Sequence, residues 1–346
     1  MTDDGLTLED QIAALKERYE ALQEQIALAD ITERLGEVAT EITGLPGEIE
    51  ALRERGYAFA GYLENKAGVL ATQWDEIRQQ VREHVRSEMT RVQASYDQIA
   101  GHWQQLDAQW SDQGKQNALA EIERVVNEVE GAVENARERI EGLYGNVPEN
   151  VNQTQSQLRT LGGYLDLADE ATVSWGPAEA IFLAVKAEWV QTGKGKKDPD
   201  GILYLSDQRL IFEQKEKVGG RFGMGGEQVQ EVLFETPVGV ISEAQAENKG
   251  MLGGKDMVHL KFSSGDQAEM TLEVKGGVDC KWYVQQLNRV ITGEIEKERA
   301  IPVDEAVVEA VQNAPTACTT CGATLPTITR GMTEVACEYC GTVVRI

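Results

Sequence analysis

Apolar side chains recur every 3.5 residues along the first half of the chain, and that repeat admits helix and little else. Leu8, Ile12, Leu15, Tyr19, Leu22, Ile26 and Ala29 step by four and three. This period holds one apolar seam on one side of a helix. The seam resumes in a shifted phase at Ile31, Leu35, Val38 and Ile42, and Gly44-Leu45-Pro46-Gly47 interrupts it. Proline suits a helix's first turn and breaks its interior, so a turn is expected there. A second helix is expected over about 47–111, its seam including Leu70, Trp74, Val81, Val85, Met89, Val92, Tyr96, Trp103 and Trp110. A third carries Leu119, Ile122, Val126, Val129, Val133, Ala136 and Ile140 and ends at Gly145-Asn146-Val147-Pro148. A short fourth holds Val151, Leu158, Leu161 and Leu165. Residues 1–170 thus read as a long helical coiled-coil region. Its stripes fit a hairpin or bundle within one chain, and equally a homo-oligomer. Heptads do not say which chain supplies the partner helix.

Charge narrows the partners. Residues 1–174 carry 15 Lys+Arg against 33 Asp+Glu, and the whole chain has a net charge of −25. An acidic chain without a basic face repels phosphate backbones, which disfavours nucleic acid as a partner. Membrane-surface helices are usually rich in Lys and Arg, so that reading is disfavoured for the helical region too. Met1 is followed by Thr2, Asp3 and Asp4, not by a basic and then an apolar stretch. The most apolar run, Ala180–Val190, is interrupted by Lys186 and Glu188. It falls short of the ~20 residues a membrane span needs. The expected location is the cytoplasm, at most the cytoplasmic face of a membrane.

From about 175 to 292 the period changes. Ile202–Leu205 and Arg209–Phe212 are short apolar runs joined by Ser206-Asp207-Gln208, the pattern of a β-hairpin. Ala180–Val190 reads as the strand before them, with further strands at Val229–Phe234, Val238–Ser242, Met257–Phe262 and Ala268–Val274. Val278–Ile291 returns to helical spacing and closes a small α+β domain. The stretch Gly201-Ile-Leu-Tyr-Leu-Ser-Asp-Gln-Arg-Leu-Ile-Phe212 resembles the core hairpin of GRAM and bacterial pleckstrin-homology-like domains, with Ser206 where Thr is usual. That resemblance implies a bent seven-stranded partial barrel plugged by the final helix. It also implies a module that binds lipid head groups or peptides and does not catalyse.

After an acidic linker at 293–315, with a short helix expected at Asp304–Gln312, comes a tail of about thirty residues, 316–346. Cys318-Thr-Thr-Cys321-Gly322 and Cys337-Glu-Tyr-Cys340-Gly341 stand fifteen residues apart. Two residues between cysteines let one tight turn aim two thiolates at one ion, and the following Gly permits that turn. The expected ligands of a single structural Zn²⁺ are Cys318, Cys321, Cys337 and Cys340, with redox or iron chemistry as the alternative. Redox Cys-x-x-Cys motifs open a helix after a strand, and neither motif here does. Leu325–Thr329 and Met332–Ala336 can pair about Arg330-Gly331, with Thr342–Ile346 as a third strand. The tail resembles a zinc ribbon.

Weaker signals remain. Lys194, Lys196 and Lys197, with Lys215, Lys217 and Arg221, could form one basic rim for an anionic ligand, diluted by Asp198, Asp200, Glu213 and Glu216. Gly219–Gly226 lacks the Gly-Lys-Ser/Thr ending of a phosphate loop and reads as a hairpin tip. His84, His102 and His259 are dispersed, and Cys280 is isolated. No nucleophile–base–acid set is visible. Trp74, Trp103 and Trp110 read as seam packing. The chain is expected to be a non-enzymatic cytoplasmic adaptor or scaffold with protein partners. A peripheral membrane protein reading anionic lipid is the alternative, and a nucleic-acid-binding zinc ribbon is disfavoured by charge.

Overall fold

The computed structural model describes residues 7–345 apart from 177, 194–197, 219–226, 250–253, 304–305, 307–308, 310–312 and 326–333. The chain forms two compact units, Met1–Pro46 with Asn65–Gln155, and Gly47–Glu64 with Ser156–Ile346.

The helices are α1 (Leu8–Gln25), α2 (Ala29–Glu54), α3 (Tyr62–Asp107), α4 (Asp112–Tyr144) and α5 (Val147–Asp169). Thr7 caps α1 through a reciprocal bond pair with Asp10, which satisfies two otherwise orphaned amides. The phase shift read before Ile31 is a real break: Leu28 has φ 45° between α1 and α2. In the first unit α3 runs antiparallel to both neighbours. Tyr19 of α1 stacks on Tyr96 of α3 at 4.8 Å, Arg18 bonds Glu130 of α4 at 2.6 Å, and Arg139 of α4 bonds Glu88 of α3 at 3.0 Å. The seams therefore find partners within the chain. Leu119, Ile122, Val126, Val129, Val133, Ala136 and Ile140 on α4 are all buried.

Three expectations need correction. Pro46 makes no turn; it lies inside α2. Ile42, Leu45, Ile49 and Leu52 stay buried on one side of it, and that packing outweighs the missing N–H. The interruption falls instead at 55–61, so the helix expected over 47–111 is the end of α2, a connection, and α3. Trp110 lies past the end of α3 and is 94% exposed, so it packs in no seam.

In the second unit seven strands form one antiparallel sheet in the order β4-β3-β2-β1-β7-β6-β5. They are β1 (Ile181–Trp189), β2 (Asp200–Ser206), β3 (Arg209–Val218), β4 (Glu227–Pro237), β5 (Ile241–Lys249), β6 (Lys255–Phe262) and β7 (Glu269–Val274). Then α6 (Cys280–Ile291), capped by Asp279, packs Tyr283, Leu287 and Val290 into the core. This is the pleckstrin-homology-like architecture the hairpin motif implied. The strand expected at Val238–Ser242 is a 3₁₀ turn at Val238–Val240, with β5 beginning only at Ile241. β5 was missed in length because Ser242–Lys249 is mostly polar on an exposed edge.

Continuous apolar runs in β1 to β3 reflect burial on both faces. Helical and connecting residues of the same unit supply further cover beside α6. Phe59 is fully buried edge-on against Phe182 at 5.3 Å, and Tyr57 donates to the Phe182 carbonyl at 3.1 Å. Tyr204 donates to the Leu167 carbonyl and to Glu213, each at 3.0 Å. The start of the expected linker belongs to this packing. Glu294–Glu298 is a 3₁₀ turn, Ala300 N–H donates to Ala58 at 2.7 Å, and Arg299 lies 4.7 Å over Phe59. Of the helix expected at Asp304–Gln312, most lies outside the described residues.

The hairpin motif now has physical content. Ser206 Oγ accepts from the amides of Gln208 and Arg209 and donates to Glu179, tying the turn. Arg209 pairs with the fully buried Glu179 at 2.7 Å. Gly201 sits against β3 so closely that a Cβ would lie 2.0 Å from the Glu213 carbonyl oxygen.

Two predictions follow from this packing. Gly201→Ala should cost about 3 kcal/mol by denaturant unfolding or prevent folding, because backbone must move; a neutral effect would refute the close approach. Glu213 accepts from the Thr172 amide at 2.6 Å and hydroxyl at 2.7 Å, from Tyr204, and from Gln230. Burial works to raise its pKa, but these donors outweigh it and hold the carboxyl below its ordinary value. A carboxyl depressed in the folded state stabilises at neutral pH, and that contribution is lost as pH falls through the folded value. Glu213→Gln should therefore lose about 2 kcal/mol at pH near 7, with the gap to wild type closing in acid.

Candidate functional site

Two matching turns build the cysteine cluster. In the first, Cys318 N–H donates to the Ala323 carbonyl at 2.8 Å and Gly322 N–H to the Cys318 carbonyl at 2.9 Å. In the second, Cys337 N–H donates to Thr342 and Gly341 N–H to Cys337, both at 2.9 Å. Gly322 and Gly341 have φ 75° and 70°, the left-handed region where a Cβ is strained. A bridge between Ala317 and Thr324 carries the first turn, and the pair β8 (Glu334–Ala336) and β9 (Val343–Arg345) carries the second. Leu325, Val335 and Val344 pack with Cys318 and Cys337 into a small core. The hairpin expected about Arg330-Gly331 lies outside the described residues, while the expected last strand is β9.

All four sulfurs lie within 4.8 Å of one another, with Cys318–Cys340 and Cys321–Cys337 at 3.6 Å. A tetrahedral thiolate shell with metal–sulfur bonds of about 2.3 Å has edges of about 3.8 Å, so the donors fit one ion. The four are free thiols rather than disulfides. Their electrostatics point the same way. Amides of Cys321 and Thr320 hold the Cys318 thiol below its ordinary value. The side chain and amide of Thr342 bring Cys340 down to about 6. At Cys321 the Ala323 amide pulls down too, but the neighbouring sulfurs, Cys340 foremost, outweigh it and push the thiol up to about 12. Thiols this close cannot all shed their protons unless a cation sits among them. Between Cys337 and Cys340 in the sequence, Tyr339 is 88% exposed.

The basic rim fares differently. Lys194, Lys196, Lys197 and Arg221 lie outside the described residues, as does the glycine-rich tip at 219–226. Lys215 is held by Glu170 at 2.7 Å, and Lys217 is exposed. Sequence reading missed a neighbouring cleft of about 590 Å³ that brings Lys186, Lys215 and Lys275 together from separate strands and a turn. Lys275 bonds Glu188 at 2.7 Å and Asp200 at 2.5 Å. Burial works against its charge, but these carboxylates outweigh it and raise its pKa. An incoming anion would have to displace them. Cys280 is buried at the start of α6, and the histidines are far apart in sequence and element, on α3 and β6. Among the described residues no helix is long and apolar enough to cross a membrane.

No family model and no curated protein matches the chain. Similar solved structures include a pleckstrin homology domain from Shewanella amazonensis SB2B, at 22% identity over 37% of this chain and 97% of that one, TM-score 0.26. The Vps36 N-terminal PH domain matches at 13% identity over 34% of this chain and 83% of that one, TM-score 0.24. The DH/PH domains of p115-RhoGEF match at 11% identity over 83% and 100%, TM-score 0.23.

The cluster predicts saturable metal binding. The reduced, chelator-treated full chain titrated with Co²⁺ should develop thiolate-to-metal charge-transfer absorption that saturates at one equivalent. Cys337→Ser should weaken it, and acid should release the ion as protons compete for sulfur. Absorption without saturation would rule out a single built site.

Proposed function

We propose that the chain is a non-enzymatic adaptor whose cysteine cluster holds one structural Zn²⁺ in a zinc-ribbon-like tail. The carrying observation is the cluster itself: four sulfur donors close on each other at tetrahedral spacing and display Tyr339 at the surface between two of them. Four thiolates fill a zinc shell and leave no position for water or substrate, so the ion staples the tail. Zinc suits an all-sulfur tetrahedral set, with iron as the competitor. The tail's contribution then lies in its exposed surface, and aromatic residues are enriched at protein interfaces. The pleckstrin-homology-like domain, GRAM-like in its hairpin, supplies a second docking surface. Modules on one chain raise one another's effective concentration at a target. Lys215 of the rim and Lys275 of the neighbouring cleft are each paired with carboxylates, which favours protein over anionic lipid as the ligand.

Two measurements separate these readings. Full-length protein with one zinc by elemental analysis should retain a partner in stoichiometric yield from source lysate. Tyr339→Ala should lower that yield without losing zinc. Sedimentation with neutral vesicles and with vesicles carrying phosphatidylserine should be equal. Strong enrichment on the anionic vesicles, with no partner retained, would replace the adaptor with a peripheral membrane protein.

A further inference from the structure

Along α3 in the first unit, Trp74, Arg78, Arg82, Val85, Arg86 and Met89 share one stripe. Leu35, Gly36 and Ala39 of α2 form the facing wall, and between them runs a groove of about 440 Å³. Its floor is apolar, with Trp74 and Val85 each only 6% exposed. Its rim is cationic, with Arg78, Arg82 and Arg86 all exposed. They stand at i, i+4 and i+8, a rise of about 6 Å per step.

The arginines are the informative part. Elsewhere in this unit Arg18, Arg34, Arg91, Arg124, Arg137 and Arg139 each have a carboxylate within 4.0 Å, and so does Arg78, through Asp75 at 3.2 Å. Arg82 and Arg86 make no ion pair among the described residues. They do so in a region where 33 acids outnumber 15 bases, so carboxylates are abundant and still none is placed there. Like charges four residues apart on a helix repel. A row of this kind, beside an apolar trough, is relieved by an anionic partner that also buries apolar surface.

We propose that this groove docks an acidic amphipathic helix of a partner protein. Apolar side chains at i, i+3/i+4 and i+7 enter above Trp74 and Val85, and Asp or Glu on the flank meets Arg82 and Arg86. From Trp74 to Met89 the stripe spans about 22 Å, room for roughly four helical turns. The acidic surroundings repel an extended polyanion such as nucleic acid or a lipid sheet, whereas a short segment carrying acids on one flank meets only the arginines. The proposal rests on the adaptor reading and names the partner's chemistry.

The test uses the full chain and two synthetic sixteen-residue helical peptides with the same leucine seam, one flanked by Glu and the other by Lys. Fluorescence anisotropy should show the Glu peptide binding at least about tenfold more tightly, with the preference weakening as salt rises. Arg82→Glu with Arg86→Glu should abolish the preference. Gly36→Phe should block both peptides without lowering the unfolding midpoint, because a Cβ there meets nothing within 4 Å. Equal binding of the two peptides, or binding indifferent to these substitutions, overturns the proposal. So does light scattering that finds a dimer which Arg82→Glu with Arg86→Glu dissociates, since the occupant is then a second copy. If the peptides fail while Tyr339-dependent capture persists, the groove assignment falls and the adaptor stands. If the Glu peptide binds as expected while capture fails, the groove holds and the tail's role falls.

Discussion

Burial of β1, β2 and β3 on both faces is the constraint around which the second unit is arranged. An ordinary antiparallel sheet keeps one face wet and reads as alternating residues. Here Phe182, Leu183, Ala184 and Val185 are buried in succession, and so are Ile202 to Leu205 and Leu210 to Phe212. A second cover is therefore obligatory, and it comes from residues far away in sequence: Tyr57 and Phe59 from the connection before α3, Leu167 from α5, and Arg299 after α6. The polar atoms brought along are satisfied by Tyr204, Glu213 and Asp207, as burial demands.

This explains what could be read from the sequence and what could not. The unbroken runs at 181–187, 202–205 and 210–212 announce central strands because both faces need apolar side chains. β5 announces little, since Glu243, Gln245 and Glu247 line an exposed edge. Helix existence was plain from the seams, and helix ends were not. Pro46 signals a stop through local chemistry, while the observed helix continues because buried neighbours on either side hold it. The connection at 55–61 carries its meaning only in contact with Phe182 and Arg299, which no local pattern encodes. Intrachain pairing of the helices was likewise undetermined until Tyr19–Tyr96 and Arg139–Glu88 placed the partner helices in one chain.

The candidate metal site was legible because its chemistry is local. Two Cys-x-x-Cys-Gly turns each specify a sulfur pair, and only their meeting needed the fold. The cleft around Lys275 was illegible for the opposite reason. Lys186, Lys215 and Lys275 are individually unremarkable, and their shared environment with Asp200 and Glu188 arises from strand pairing alone. The arginine stripe on α3 lies between these cases: its spacing stands in the sequence, but the lack of an ion-pair partner at Arg82 and Arg86 among the described residues is visible only in three dimensions.

The hydrogen bond from Ala300 to Ala58 has a geometric consequence. It roots the tail at a defined point of the folded chain instead of at the end of α6. Seventeen peptide steps separate that root from Ala317, where the cysteine module begins. Fully extended, such a leash reaches at most about 60 Å. Ala317 is thereby confined to a sphere of that radius around the anchor, and under the adaptor reading the anchor would set the local concentration at which the cysteine module meets a target.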